Sequence, residues 1–245
     1  FNKFIKIVLI EKNKNLIKFQ KNKVKKLKLK NVIWQKDFKA DSNSPCIIYA
    51  NEFFDCLPIR QFYKNIYWYE KFIKYDEKLD IFSFIDNKVK NEKLLIDLKK
   101  YNNEKLAEIS FERIKIFKKL CKHIYKKKGI IIIIDYGYNE PIKNFTLQTI
   151  SRHKKTHLFD YIGMQDITSL IDFKELMNIA KSLNLKTISY SSQREFLLYN
   201  GILERKKLLK KELSLEKKIL FDQQYEKLIN VNGMGNDFRI LIVSS

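Results

Sequence analysis

GIIIIIDYG, residues 129–137, decides how this 245-residue chain is read. Five consecutive isoleucines leave no polar side to present to water, so the strand they form is covered on both faces. Strands of that kind belong to parallel sheets whose crossover helices cover them, which makes this an α/β protein with helices on both faces of the sheet. Just upstream, Ile109 to Lys127 has the spacing of an amphipathic helix, and Gly129 stands where a helix ends. Downstream, Phe173 to Leu183 reads as a helix, Leu185 to Tyr190 as a strand and Phe238 to Val243 as a terminal strand. Towards the N-terminus, Phe4 to Ile10, Asn31 to Trp34 and Cys46 to Ala50 are strands, with a helix from Leu16 to Leu27 after the first. The aromatic, partly alternating stretch from Phe62 to Phe84 breaks at Asp76-Glu77-Lys78. It predicts antiparallel strands inserted after the third strand, in a β-rich segment of about residues 62–112. A basic helical segment spans about residues 193–230.

The prolines and glycines are scattered singly, so residues 1–245 read as one domain. The formal charge of +21 invites a nucleic-acid reading, because clustered Lys and Arg neutralise phosphates. Its makeup points elsewhere. Only six of the 49 basic residues are arginine, and the lysines run from Lys3 to Lys227 among many Asn and Ile. Lys, Asn and Ile share AT-rich codons, so mutational bias accounts for the charge and no nucleic-acid partner is expected. Cys46, Cys56 and Cys121 are odd in number and far apart, as free thiols of a reducing compartment are. The longest purely apolar run, Ile130 to Ile134, is too short to span a bilayer, and no membrane insertion is expected.

Ligands of open α/β sheets sit outside the carboxyl ends of the strands. The polar residues expected there are Glu11, Asp37, the set Asn51, Glu52 and Asp55, and Asp135 with Tyr136. Two readings of Asn51, Glu52 and Asp55 stand side by side on residue chemistry. They are a turn, with Asn51 or Asp55 capping a helix that starts near Leu57-Pro58, or they hold a ligand. Paired carboxylates suit a guanidinium, whose planar donors match a carboxylate fork. His153 and His157 have i, i+4 spacing, yet Lys154-Lys155 between them lack the glutamate of a metalloprotease helix, so no metal is expected. His123, among lysines on a helix, reads as a solvated surface residue. No Gly-rich phosphate cradle occurs.

ANEFFDCLPIRQF, residues 50–62, is similar to ANEFFDALPIRQF, a signature of the MidA-like methyltransferases, the group that includes the mitochondrial complex I assembly arginine methyltransferase. Further blocks follow in family order. Leu9-Ile10-Glu11 with Leu16 and Gln20 resembles LVE...L...Q, Gly129 to Gly137 resembles GGxLIIDYG, and Thr146-Leu147-Gln148 with Arg152-His153-Lys154 resembles TLQ...RHK. Asp166-Ile167-Thr168 with Asp172-Phe173 looks like DLT...VDF, Gln193 with Glu195-Phe196-Leu197 and Gly201-Ile202 like QxEFL...LGI, and Met234-Gly235 with Phe238 like MGxxFK. Lys12-Asn13 stand where the family has Ser-Pro, and the acid near the end of the Trp34 strand is displaced to Asp37.

The resemblance implies a class I methyltransferase, Rossmann-like in its sheet, that uses S-adenosylmethionine. The family's first strand and Gly-rich loop precede the segment matching residues 5–20. The chain opens on Phe1 and not on methionine, so it is expected to be an N-terminally truncated domain that binds the cofactor weakly. The implied reaction is methylation of a protein arginine, with a subunit of respiratory NADH dehydrogenase as partner, in a bacterial cytoplasm or a mitochondrial matrix. Glu11 and Asp37 would contact the cofactor, Asn51 would stand between cofactor and acceptor, and Glu52 and Asp55 would grip the guanidinium. Asp135, Tyr136 and His153 would help bind the substrate. The alternatives are a noncatalytic assembly module on the same fold, or a nucleic-acid binder or methyltransferase.

Overall fold

A computed structural model of the chain describes residues 5–39, 44–152, 154–211 and 213–245. It divides into two compact units, residues 1–43 and 44–245. The first is a strand–helix–strand unit: β1 (Ile7–Ile10), α1 (Lys14–Lys26) and β2 (Val32–Gln35), with β1 parallel to β2 in the register Ile7 to Val32. Asn13 starts α1 by accepting from the backbone N–H groups of Asn15 and Leu16 at 2.9 and 3.3 Å, and Lys23, Lys25 and Lys26 sit at the negative end of its dipole. Trp34 Nε1 donates to Gln20 Oε1 at 2.9 Å, tying helix to strand.

In the second unit, β3 (Cys46–Asn51) leads into a four-stranded antiparallel sheet in the order β6-β5-β4-β7, made of β4 (Arg60–Lys64), β5 (Trp68–Asp76), β6 (Ile81–Lys88) and β7 (Leu106–Ile109). Helix α2 (Glu92–Leu98) and the short 3-10 turn after it lie between β6 and β7. Phe62, Trp68, Leu94, Leu98, Ala107 and Ile109 close this insertion over a core of its own. The expected antiparallel strands are therefore present, and the break at residues 76–78 is the β5–β6 turn. Ile109 ends β7, however, and α3 (Phe111–Lys127) starts only after Ser110, whose side chain accepts from Arg113 N–H at 3.2 Å as its N-cap.

The isoleucine strand is β8 (Gly129–Tyr138). Beyond it come the small antiparallel sheet of β9 (Gln148–Ser151), β10 (Lys154–Thr156) and β11 (Asp166–Thr168), then β12 (Ile171–Asp172), α4 (Phe173–Ser182) and β13 (Lys186–Ser192). The chain continues through α5 (Gln193–Tyr199), α6 (Ile202–Lys211), α7 (Leu215–Ile229) and the single turn α8 (Met234–Asp237) to β14 (Phe238–Ser244). In the central sheet β3 and β12 run parallel to β8, while β14 runs antiparallel to both β8 and β13. The α/β class holds, but the sheet is mixed and not purely parallel. Ile131, Ile133, Leu241 and Val243 are fully buried in it, and α3 and α4 pack against β8 and each other.

Two glycines of the opening motif are dictated by backbone approach. Gly129 (φ 155) already belongs to β8, and a Cβ there would meet the Cys46 carbonyl oxygen at 2.3 Å. Lys128, at φ 60, makes the turn out of α3 in its place. At Gly137 a Cβ would lie 2.4 Å from the Ile171 carbonyl oxygen and 2.5 Å from the Phe173 ring, where β12 joins β8. Gly137→Ala is therefore expected to lower stability by about 1 to 3 kcal/mol, the usual range for overpacking, in urea denaturation. An unchanged midpoint would show that β12 is not held this closely.

His123 is buried at 8 % exposure and not solvated; burial and the nearby Lys127 hold its pKa below the ordinary value. His153 lies outside the described residues. His157 follows β10 in an exposed turn, so no helix runs between positions 153 and 157. Among the described residues, no helix is long and apolar enough to cross a membrane.

Candidate active site

The first unit brings Glu11 and Asp37 to one edge. Because β1 and β2 are parallel, both carboxyl ends lie together, and Glu11 N–H donates to the Gln35 carbonyl at 3.0 Å. Glu11 Oε1 accepts from Asn13 N–H at 2.8 Å, which fixes the turn into α1. Asp37 is exposed and pairs with Lys12 at 3.4 Å, so the lysine that replaces the family's serine is what holds it. The edge thus presents carboxylate acceptors, the group that takes the hydroxyls of a ribose, and it fits the nucleoside part of the expected cofactor.

In the second unit the polar set turns sharply off β3. Asn51 is the last residue of that strand, and Glu52 takes a left-handed conformation at φ 46 while its N–H still bonds the Ile134 carbonyl at 3.0 Å. A non-glycine residue held there is strained, and such strain gathers at functional turns. Asn51 Nδ2 donates to Glu52 Oε1 at 3.1 Å, and Tyr49 Oη donates to Asn51 Oδ1 at 3.4 Å, so these exposed side chains form one chain. No helix starts at Leu57-Pro58; the segment makes a turn closed by Leu57 N–H on the Phe54 carbonyl and enters β4. The capping alternative is thereby removed.

The turn is gripped from both sides by buried polar side chains, Asp135 and Arg113. From below, Asp135 Oδ2 accepts the backbone N–H groups of Phe53, Phe54 and Asp55 at 3.2, 3.0 and 3.4 Å, and Oδ1 accepts that of Tyr136 at 3.0 Å. Asp135 is fully buried inside β8, which continues to Tyr138. It is not at the strand's end, and its oxygens are engaged by backbone. From the α3 side, the Arg113 guanidinium donates to the Phe54 and Asp55 carbonyls at 2.6 and 3.0 Å. Phe54 itself is fully buried, edge-on to Phe117 with ring centroids 6.3 Å apart. One phenylalanine of the motif is thus an anchor and its polar neighbours are what the anchor presents.

Asp55 is 6 % exposed, and burial raises its pKa, against the N–H of Cys56, with the Glu52 charge adding to the rise. Asp135 is pushed up to about 7 by burial and by the Asp55 charge. Tyr136, half-buried with its ring 3.9 Å from that of Phe238, is raised by burial and then by Glu52, Asp237, Asp55 and Asp135. On a chain of formal charge +21, this mouth is locally acidic.

The Asp135 shift sets a sign for stability. The folded state keeps this proton up to about pH 7, whereas the unfolded chain releases it near pH 4. The contribution is complete below the unfolded value and is lost as pH rises through about 7. Urea denaturation is expected to show wild type losing stability relative to Asp135→Asn as pH rises from 4 to 7, a window set by those two values. A constant difference between the two proteins would mean that Asp135 ionises alike in both states.

Arg113 and Glu108 escaped the sequence reading. Glu108, 7 % exposed, accepts from Gln61 Nε2 at 2.6 Å and from Thr146 N–H and Oγ1 at 2.9 and 2.5 Å, so it holds the TLQ segment. The available signal was compositional: Arg113 is one of six arginines in a chain that otherwise uses lysine. A cleft of about 930 Å³ is lined by Tyr101, Tyr138, Asp172 and Glu175 among others, and Asn51, Glu52 and Asp55 do not line it. The strained turn, with its converging carboxylates, is the better candidate for the chemistry.

Relatives and solved structures agree with this architecture. The chain is 27 % identical over 182 residues to the mitochondrial protein arginine methyltransferase NDUFAF7 homolog of Caenorhabditis elegans, covering 71 % of this chain and 42 % of that protein. It is 27 % identical over 199 residues to NDUFAF7 of Danio rerio, a mitochondrial protein arginine methyltransferase, covering 80 % and 47 %. The chain therefore spans about half the length of the curated relatives it matches. The native crystal structure of an uncharacterized protein from Burkholderia thailandensis superposes with a TM-score of 0.83 at 20 % identity, covering 98 % of this chain and 66 % of that one. A structure from the same organism with S-adenosyl-homocysteine bound gives 0.82 at 20 % identity, covering 98 % and 64 %. A family model described as "Putative S-adenosyl-L-methionine-dependent methyltransferase" matches residues 1–191. That match takes in more than half of the chain, which belongs to this family of S-adenosylmethionine-dependent methyltransferases.

Proposed function

We propose that the protein methylates an arginine side chain of another protein, and that the partner is a subunit of respiratory NADH dehydrogenase. The observation that carries this reading is the strained turn at the end of β3, which carries Glu52 and Asp55 three residues apart on a strongly basic chain, with the Glu52 charge acting on both Asp55 and Tyr136. The names of the curated relatives, protein arginine methyltransferases of mitochondria, support it. In the proposed setting the protein works in the mitochondrial matrix or, in a bacterium, in the cytoplasm.

The cofactor, when bound, supplies an electrophilic methyl on a sulfonium. The chain's own residues have three tasks around it. As the family resemblance implies, Glu11 and Asp37 would hold the ribose hydroxyls, and Asn51 would contact the cofactor. Glu52, exposed and held by Asn51, grips the guanidinium and turns one nitrogen for in-line attack; good alignment of this kind supplies about 7 to 11 kcal/mol of a barrier. The acceptor nitrogen gives up a proton as the new N–C bond forms, since free arginine stays protonated. Asp55, its pKa raised by burial, is the base that takes it. Tyr136 lines the same mouth, and Asp135 acts through the backbone of the turn.

Methyl transfer from labelled cofactor to an arginine-bearing partner by the full-length protein, with peptide mass spectrometry of the product, tests the reading. Methylarginine is expected, with no label on a partner whose target arginine is replaced by lysine. Label on lysine or on nucleic acid would overturn it.

A further inference from the structure

We propose that Arg113 is a positioning residue that locks the Asn51–Asp55 turn to the segment carrying Ser169 and Leu170, so that this segment and the reactive turn move as one body. This rests on the proposed function. The Arg113 guanidinium is buried, at 6 % exposure, and each of its three nitrogens donates to one or both of two separate stretches of chain. Nε donates to the Phe54 carbonyl at 2.6 Å and Nη2 to the Asp55 carbonyl at 3.0 Å. Nη1 donates to the Leu170 carbonyl at 2.9 Å, and Nη2 also to the Ser169 carbonyl and Oγ at 3.0 and 2.6 Å. The two stretches touch directly as well, through Ser169 N–H on the Asp55 carbonyl at 3.1 Å.

The lock extends further. Leu170 N–H donates to Thr146 Oγ1 at 2.9 Å, and Thr146 is held by Glu108. The β9–β10–β11 sheet lies between Thr146 and Ser169 in the chain, so both its ends are pinned to the turn through this one network. Every acceptor that Arg113 meets is a backbone carbonyl or a hydroxyl, and none is a carboxylate. Its charge is balanced at a distance by Asp135, Glu108 and Asp55. A fork of five donors on a rigid plane satisfies such a spread of acceptors, and a lysine ammonium, with three donors at one point, does not. Arg113 sits in the first turn of α3, whose Ser110 cap bonds the Pro58 carbonyl at 2.6 Å, so the guanidinium is aimed by a helix that is itself tied to the end of the turn.

The inference separates Arg113 from a merely structural residue. The test uses full-length protein and two variants, Arg113→Lys and the milder Ser169→Ala, which removes one bond to the guanidinium. Amide exchange of Phe53, Phe54 and Asp55 is compared with that of Ile131 and Ile133, buried in β8 nearby. Selective acceleration at residues 53–55, with turnover reduced by about 10² fold, the cost of an ångström-scale misplacement, and with S-adenosylmethionine affinity falling by much less than turnover, is the expected result for Arg113→Lys. Ser169→Ala should shift both readouts in the same direction by less. Exchange that accelerates everywhere, or not at residues 53–55, would overturn the proposal, as would selective acceleration with undiminished turnover. If Arg113→Lys does not fold, Ser169→Ala decides on the same criteria. If wild type methylates no arginine, it is the proposed function that fails; the exchange at residues 53–55 then still decides whether Arg113 locks the turn.

Discussion

Glu52→Gln in the full-length protein is expected to cut methyl transfer to arginine by about 10² to 10³ fold, the loss typical of one preorganised electrostatic contact, with S-adenosylmethionine binding nearly intact. The substitution keeps size and keeps the Oε1 acceptor for Asn51 Nδ2 at the exposed tip of the turn. It removes only the charge. Because Glu52 is exposed and its N–H is held by Ile134, the backbone of the turn does not depend on the carboxylate, and the melting temperature should stay close to that of wild type. Turnover assays, with calorimetry for the cofactor, measure both sides. A glutamine variant that transfers methyl at the wild-type rate would take Glu52 out of the mechanism.

Asp135→Ala is expected to cost stability instead, by about 3 to 5 kcal/mol, because it leaves four backbone donors, two of them buried, without their acceptor. Four backbone N–H groups, those of Phe53, Phe54, Asp55 and Tyr136, lose their acceptor at once. Above about pH 7, where Asp135 is ionised, the buried Arg113 guanidinium loses a balancing charge as well. Urea denaturation gives the loss, and methyl transfer should fall with it, since the strained conformation of Glu52 has nothing below it to hold. A penalty under about 1 kcal/mol, the worth of a single net hydrogen bond, would mean that the turn stands without Asp135.

What the sequence shows of this fold and what it hides follow from the range of each interaction. The isoleucines of β8 announce a strand covered on both faces, and it is one, but their pattern says nothing of the direction of its neighbours. β14 pairs antiparallel from a distance of about a hundred residues, which no local period encodes. Asp135 reads as the end of a strand because a carboxylate after five isoleucines has no place inside a sheet. It has one here, since three N–H groups of a remote turn supply the bonds that burial demands. Pro58 leaves a helix start open as one of two readings of the turn, yet the Phe54 anchor and the entry into β4 leave no room for one. His123 reads as solvated among lysines, while its own face of α3 is the buried one. Asn51, Glu52 and Asp55 stand out in the sequence as candidates through the family signature that contains them, with a turn and a site equally open on residue chemistry; Arg113 and Glu108, which act across 58 and 38 residues, do not stand out.

The central claim, that the turn after β3 holds a guanidinium through Glu52, is met most directly by an affinity comparison. Calorimetry with the full-length protein, saturated with S-adenosyl-homocysteine, would compare an acceptor peptide bearing arginine with the same peptide bearing citrulline, its neutral isostere. Charged hydrogen bonds contribute about 1.5 to 3 kcal/mol, so the arginine peptide should bind roughly ten to a hundred times more tightly, and Glu52→Gln should erase most of that preference. Equal affinity for arginine and citrulline in wild type, or a preference that survives in Glu52→Gln, would contradict the account.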